Sequence, residues 1–177
     1  MREGFVVWLT GLPGSGKTTI AQGLAPKLRA MDWPVEILDG DEIRTNLSKG
    51  LGFSREDRET HLKRVIYVAK LLSRNRVAVV GALISPYRNI RDFARKETTN
   101  FLEVFVKCSL ETCAKRDPKG LYKKASAGQI KDLTGPQDLY EDPLSPDLVV
   151  DTEKLNLAES VEIILNKLKA MHLIENS

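Results

Sequence analysis

The chain is short of cysteine, of aromatic residues, of long apolar runs and of any decisive excess of charge. Its only cysteines, Cys108 and Cys113, are five positions apart. That spacing matches neither a CxxC pair nor a metal-ligand pattern, which leaves two reduced, mostly buried thiols as the expectation. Aromatic residues make up 6%, and 27 basic residues stand against 24 acidic ones for a net charge of +3. A balance so slight and dispersed, without an aromatic platform, argues against a nucleic-acid surface and suits small anionic ligands. No apolar run approaches the roughly 20 residues of a membrane span. The N-terminus lacks the basic, apolar and small-residue sections of a signal peptide, so a cytoplasmic location is expected, with no membrane partner.

What is present fits a packed core. The 177 residues are 42% hydrophobic and 29% charged, which predicts one domain over 1–177. Short apolar runs alternate with stretches of helical period. Strands are predicted at Phe5–Leu9, Val35–Leu38, Arg76–Ile84, Phe101–Cys108 and Leu148–Val150. Helices are predicted from Lys17 to Met31, Ser54 to Arg74, Asn89 to Glu97, Leu110 to Arg116 and onward from Leu157, the last capped by Asn156 and Glu159. Ser54 with Asp57 three later reads as a capping box. This alternation predicts a single parallel α/β sheet with helices on both faces and ligands at the carboxyl ends of the strands. The polar stretch 117–142 is long for a plain connection and is predicted to be a lid.

Gly11-Leu12-Pro13-Gly14-Ser15-Gly16-Lys17-Thr18 fits GxxxxGK[ST] between a strand and a helix, the setting this phosphate-binding motif requires. Gly11, Gly14, Ser15 and Gly16 would present backbone N–H groups to phosphates. Lys17 would reach the β- and γ-phosphates, and Thr18, with Thr19 beside it, would serve ATP and Mg²⁺. The motif points to the nucleotide and says nothing of the acceptor. Asp39 and Asp41 end the second strand, where a carboxylate can hold Mg²⁺ or take a proton. Asp39 is the stronger choice, because Asp41 reads equally well as a helix N-cap. Arg44, Arg58 and Arg88 follow strand ends or open helices, suiting them to phosphate or sulfate oxygens. Pro86 biases Ser85 out of helical geometry at a strand tip. Ser85 is read as a phosphate ligand in preference to a transient phosphate carrier, since in-line transfer needs no covalent intermediate.

With these residues in view, the sequence resembles the adenylylsulfate kinase (APS kinase) family of P-loop small-molecule kinases over nearly its whole length. The resemblance is carried by Leu38-Asp39-Gly40-Asp41 with Arg44, Leu51-Gly52-Phe53-Ser54 with Asp57-Arg58, and Ile84-Ser85-Pro86-Tyr87-Arg88 with Arg91. It continues through Arg116-Asp117-Pro118-Lys119-Gly120-Leu121-Tyr122-Lys123-Lys124, Thr134-Gly135, Tyr140-Glu141 and Pro143. It implies a P-loop NTPase fold and transfer of the ATP γ-phosphate to the 3′-hydroxyl of adenosine 5′-phosphosulfate (APS) in sulfate activation. Asp39 and Asp41 would serve Mg²⁺ or that hydroxyl. Phe53 would stack on the acceptor adenine, Arg44 and Arg58 would bind its phosphosulfate, and Ile84 and Ser85 would border it. Lys119 and Tyr122 of the lid would lie near the acceptor, and Arg116 near ATP. A homodimer is the assembly the resemblance suggests.

Three positions depart from the family pattern: His61 for an asparagine that hydrogen-bonds the acceptor, Leu133 for the phenylalanine of a second aromatic face, and Leu83 for an aromatic. Histidine can still donate one hydrogen bond, with a protonation state expected to matter near neutral pH. Two alternatives therefore stay open: a kinase of another small anionic acceptor, and a nucleotide-binding regulatory protein without transfer activity.

Overall fold

The computed structural model describes residues 3–175. In chain order the elements are β1 (Phe5–Thr10), α1 (Lys17–Arg29), β2 (Val35–Asp39), α2 (Gly40–Leu47), α3 (Arg55–Arg74), β3 (Ala78–Ala82), α4 (Arg88–Glu97), β4 (Phe101–Lys107), α5 (Leu110–Arg116), α6 (Leu121–Ser126), β5 (Leu148–Asp151) and α7 (Leu157–Ala170). The strands form one five-stranded sheet ordered β2-β3-β1-β4-β5. Every pairing is parallel. The chain leaves β1 toward β2 and β3 on one side and toward β4 and β5 on the other, so the loop after β1 sits where the sheet diverges. Ligand crevices open at such a point.

β1 is buried along its whole length, and its alternation sorts the core into two layers. Phe5, Val7 and Leu9 pack with Ile20, Leu24 and Leu28 of α1 and Ile164 and Leu168 of α7. Val6 and Trp8 point the other way, against Leu62, Val65 and Ile66 of α3 and Ile90 of α4. A strand covered on both faces needs an unbroken apolar run, and this run also carries no charge. Among the described residues no helix is long and apolar enough to cross a membrane.

The expected elements are all found, with shifts at their ends. β3 begins at Ala78 rather than Arg76 because Arg76 has φ 67 and its N–H closes a turn onto Ser73 O at 3.0 Å. Asn156 and Glu159 form the expected capping box on α7. Ser54 caps α3 by accepting from Asp57 N at 3.1 Å, but Asp57 turns its carboxylate to Gly52 N at 2.9 Å, so only half of that box is built.

The strand tips are held by one buried arginine. Arg91 of α4, 2% exposed, donates Nε to Glu103 Oε1 of β4 at 3.0 Å, Nη1 to Ser85 O at 2.6 Å and Nη2 to Glu141 O at 2.5 Å. Arg95 supports the same Glu103 at 3.3 Å and reaches Asp147 at 2.6 Å. One guanidinium thus ties the exit of β3, the middle of β4 and the end of the 117–142 stretch. Without Arg91, Ser85 O and Glu141 O lose a charged donor and Glu103 keeps only Arg95. Arg91→Leu is therefore expected to lower unfolding free energy by about 3 kcal/mol in urea titration, whereas an exposed pair such as Lys115 with Glu111 is expected to contribute almost nothing.

Candidate active site

The loop from β1 to α1 bends through Gly14 at φ 80 and Gly16 at φ 107, backbone that a side chain would strain. A Cβ on Gly14 would also meet Cys113 O at 3.0 Å. Gly16 stands at the N-terminus of α1 with no side-chain cap on the helix, leaving its first N–H groups for an anion. Lys17 turns its Nζ back onto Gly11 O and Leu12 O, both at 2.7 Å, with Ser15 Oγ at 3.4 Å. Burial disfavours the charged amine and brings its pKa down to about 7. Gly11 and Ser15 stand behind the cradle, while Gly14, Gly16, Lys17, Thr18 and Thr19 face a cavity of about 790 Å³.

The first turn of α1 faces the end of β2. Thr18 Oγ1 donates to Asp39 Oδ2 at 2.7 Å, and Asp39 Oδ1 accepts from Asp41 N at 3.1 Å. The helix cap expected of Asp41 is therefore made by Asp39, because α2 starts two residues earlier than a cap at Asp41 would place it, at Gly40. Asp41 keeps a free carboxylate, which pairs with the ammonium of Lys119 from the 117–142 stretch. That stretch also reaches the cradle through Tyr122, whose hydroxyl donates to Pro13 O at 2.7 Å. Arg116 donates to Thr152 Oγ1 at 2.9 Å and to Thr152 O at 2.8 Å, and Thr152 Oγ1 donates to Ser15 O at 2.8 Å. Thr152 was not singled out from the sequence. Its place directly after β5 was the available signal, since strand ends on this edge carry the site.

Across the same cavity lies a cationic and aromatic wall. The Arg44 guanidinium sits 4.4 Å from the ring centre of Phe53 and donates Nη1 to Gly52 O at 2.9 Å. Phe53 is 55% exposed, a large apolar face left open to the cavity it lines. Arg58 borders this wall, yet its donors are engaged by protein. Nε goes to Phe53 O at 2.8 Å, Nη1 to Thr134 Oγ1 at 2.6 Å, and Nη2 to Asp132 O, with Asp138 at 3.5 Å. Arg58 therefore also ties α3 to residues 132–138. Arg88, expected beside Arg44 and Arg58, lies away from the cavity: its Nε is spent on Asp142 O at 2.8 Å and its N–H on Glu141 at 2.7 Å.

Ile84, Ser85 and Leu133 border the cavity. Ser85 holds φ 41, and its hydroxyl accepts from Trp8 Nε1 at 3.0 Å and lies 3.4 Å from Leu83 O. Those contacts turn it inward and weaken the expectation of a phosphate ligand or carrier there. Leu133 packs with Cys108, Cys113 and Tyr122, and Leu83 joins the core layer of Trp8. The two cysteines are buried and free, and burial pushes the Cys113 thiol up to about 12. Among the described residues no three or more His, Cys, Asp or Glu side chains gather as a metal site.

His61 corrects the expectation of a protonation change near neutral pH. Burial, then the charges of Arg44 and Arg64, lower its pKa to about 4. The unfolded chain takes up a proton at an ordinary histidine near pH 6.5, and the folded chain does not until about pH 4. Stability must fall as pH falls through that window, by up to about 3 kcal/mol. Urea titrations of His61→Asn between pH 7 and pH 4 are expected to show a shallower loss than wild type.

The comparisons with known proteins agree with this geometry. Residues 3–151 match the family model described as adenylylsulphate kinase. An adenylyl-sulfate kinase of Rippkaea orientalis is 53% identical over 96% of this chain and 94% of its own length. A probable bifunctional SAT/APS kinase 2 of Sorangium cellulosum is 55% identical over 96% of this chain, which spans 29% of that protein. The Mycobacterium tuberculosis APS kinase solved in complex with AMPPNP and APS matches with a TM-score of 0.92 and 38% identity, over 96% of this chain and 99% of that one. A phosphate cradle facing a cationic, aromatic wall is thus set within a near full-length likeness in sequence and fold, and the chain belongs to the adenylylsulphate kinase family.

Proposed function

We propose that this protein transfers the γ-phosphoryl group of ATP to the 3′-hydroxyl of APS, giving 3′-phosphoadenosine 5′-phosphosulfate and ADP. The observation that carries the reading is the single cavity joining the Lys17 cradle to the Arg44–Phe53–His61 wall. In this reading residues 1–177 act as one kinase domain with 117–142 as its lid. A cytoplasmic location agrees with the two free thiols, and a homodimer is the assembly the family resemblance suggests.

The chain's own groups divide the work. Lys17 leaves the Gly11 and Leu12 carbonyls for the β- and γ-phosphate oxygens and balances charge as it spreads over the transferring group. Thr18 and Asp39, two hard oxygen donors already 2.7 Å apart, suit Mg²⁺, which takes one or two protein oxygens and leaves room for phosphates and water. When bound, Mg²⁺ neutralises charge on the phosphates and helps align them. With Asp39 so engaged, Asp41 is the carboxylate left to accept the 3′-hydroxyl proton. Lys119 is then released to the anions, and the lid carrying it keeps out water, the competing acceptor. The bond from the γ-phosphorus to the bridging oxygen of ADP breaks as the bond to the 3′-oxygen forms. Phe53 offers its open face to the acceptor base, with Arg44 beside it for the anionic end.

The test is ADP release from Mg·ATP with and without APS, with direct detection of the 3′-phosphorylated product. ADP release that depends on APS and yields that product is expected. ATP binding without APS dependence would send the search to another small anionic acceptor. Lys17→Ala and Asp39→Ala are each expected to lose at least about a hundredfold in turnover, as removal of a charge-stabilising group does elsewhere, with circular dichroism unchanged. Wild-type turnover in either variant would show that these roles are wrong.

A further inference from the structure

Ser48 is the C-cap of α2. Its N–H donates to Arg44 O at 3.1 Å, and its carbonyl accepts from Leu51 N at 3.0 Å. The backbone is thereby spent, and the hydroxyl is left facing His61 Nδ1 at 2.8 Å. Ser48 is 1% exposed and His61 6%, and that contact is the only hydrogen bond of the Ser48 hydroxyl among the described residues. The direction of the bond follows from where the serine proton can go. If Nδ1 carried the hydrogen and donated it, the serine proton would be buried without an acceptor, an arrangement proteins avoid. Ser48 Oγ–H therefore donates to Nδ1, and the ring proton belongs on Nε2.

Nε2 has no hydrogen-bond partner among the described residues, and it is not a sealed, unsatisfied atom. His61 borders the main cavity, so the N–H has that space to point into. The charges facing the ring are Arg44 from α2 and Arg64 from α3, both opposing an imidazolium. The ring stays neutral at working pH, and the serine decides which neutral form it takes.

We propose that Ser48 is a positioning residue of the transfer reaction, holding His61 in its Nε2–H tautomer so that the imidazole offers APS one donor and no lone pair. This rests on the APS reading above. An amide at the same place presents a donor and an acceptor and can exchange them by flipping. The serine-locked imidazole presents only the donor, which selects an oxygen or ring nitrogen of the acceptor over an N–H.

Long-range proton–nitrogen spectra at pH 7 report the tautomer without substrate, with His172→Gln used to assign the second histidine. The expected spectrum has a protonated Nε2 and a bare Nδ1 at His61. Ser48→Ala is expected to mix the two tautomers and to raise KM for APS three- to tenfold while kcat stays within about twofold, the scale of one hydrogen bond. Ser48→Thr is expected to restore both readouts. Ser48→Cys, similar in volume but a weak donor, is the second variant and should shift both in the direction of alanine. A wild-type Nδ1–H, an alanine variant that keeps the Nε2–H form, or a changed tautomer with unchanged KM would each overturn the proposal. Absence of APS turnover in the wild type would instead end the proposed function, and this role with it, whatever the tautomer.

Discussion

The site depends on a cation buried in a place built for anions. Lys17 is 8% exposed and is held by two carbonyls of its own loop. A charge withdrawn from water interacts more strongly with whatever phosphate arrives, but it is also harder to keep charged. Neutral carbonyls compensate only in part, which is why the amine titrates near pH 7. Phosphate oxygens supply what is missing. In the proposed reading, the cradle would gain its full charge when the nucleotide binds.

The surrounding architecture serves that arrangement. β1 can carry the loop into a dry interior because both of its faces are covered, by α1 and α7 on one side and α3 and α4 on the other. The 117–142 stretch meets the cradle and the end of β2 through the Tyr122 hydroxyl on Pro13 and the Lys119 ammonium on Asp41. Arg58 and Arg91 fasten the far end of that stretch to α3 and to the strand tips. Each of these contacts joins residues far apart in sequence, so the 117–142 stretch packs at once against the cradle, the start of α3 and the strand tips.

How much of this could be read beforehand depended on distance along the chain. The cradle was legible because Gly11 to Thr18 is a local pattern with a strand before it and a helix after it. The alternating and continuous apolar runs gave the sheet for the same local reason. The ties of Arg58 to Asp132 and Thr134 were not legible, since they join residues 74 and 76 positions apart. Arg88 misled because its position after a strand end says nothing of which way a side chain turns. Asp39 took the capping role expected of Asp41 over a two-residue shift in the start of α2. The state of His61 was hidden because burial and two arginine charges, which decide it, appear only when the chain is folded.

Burial of Lys17 can be tested where it matters, in the proton balance of nucleotide binding. At pH 8 an amine titrating near 7 is mostly neutral until phosphate restores its charge. ATP binding measured by calorimetry at pH 8 in two buffers of different ionisation enthalpy should show uptake of close to one proton per nucleotide. Binding enthalpies that do not depend on the buffer would mean that Lys17 was charged throughout, and would contradict the account of the cradle.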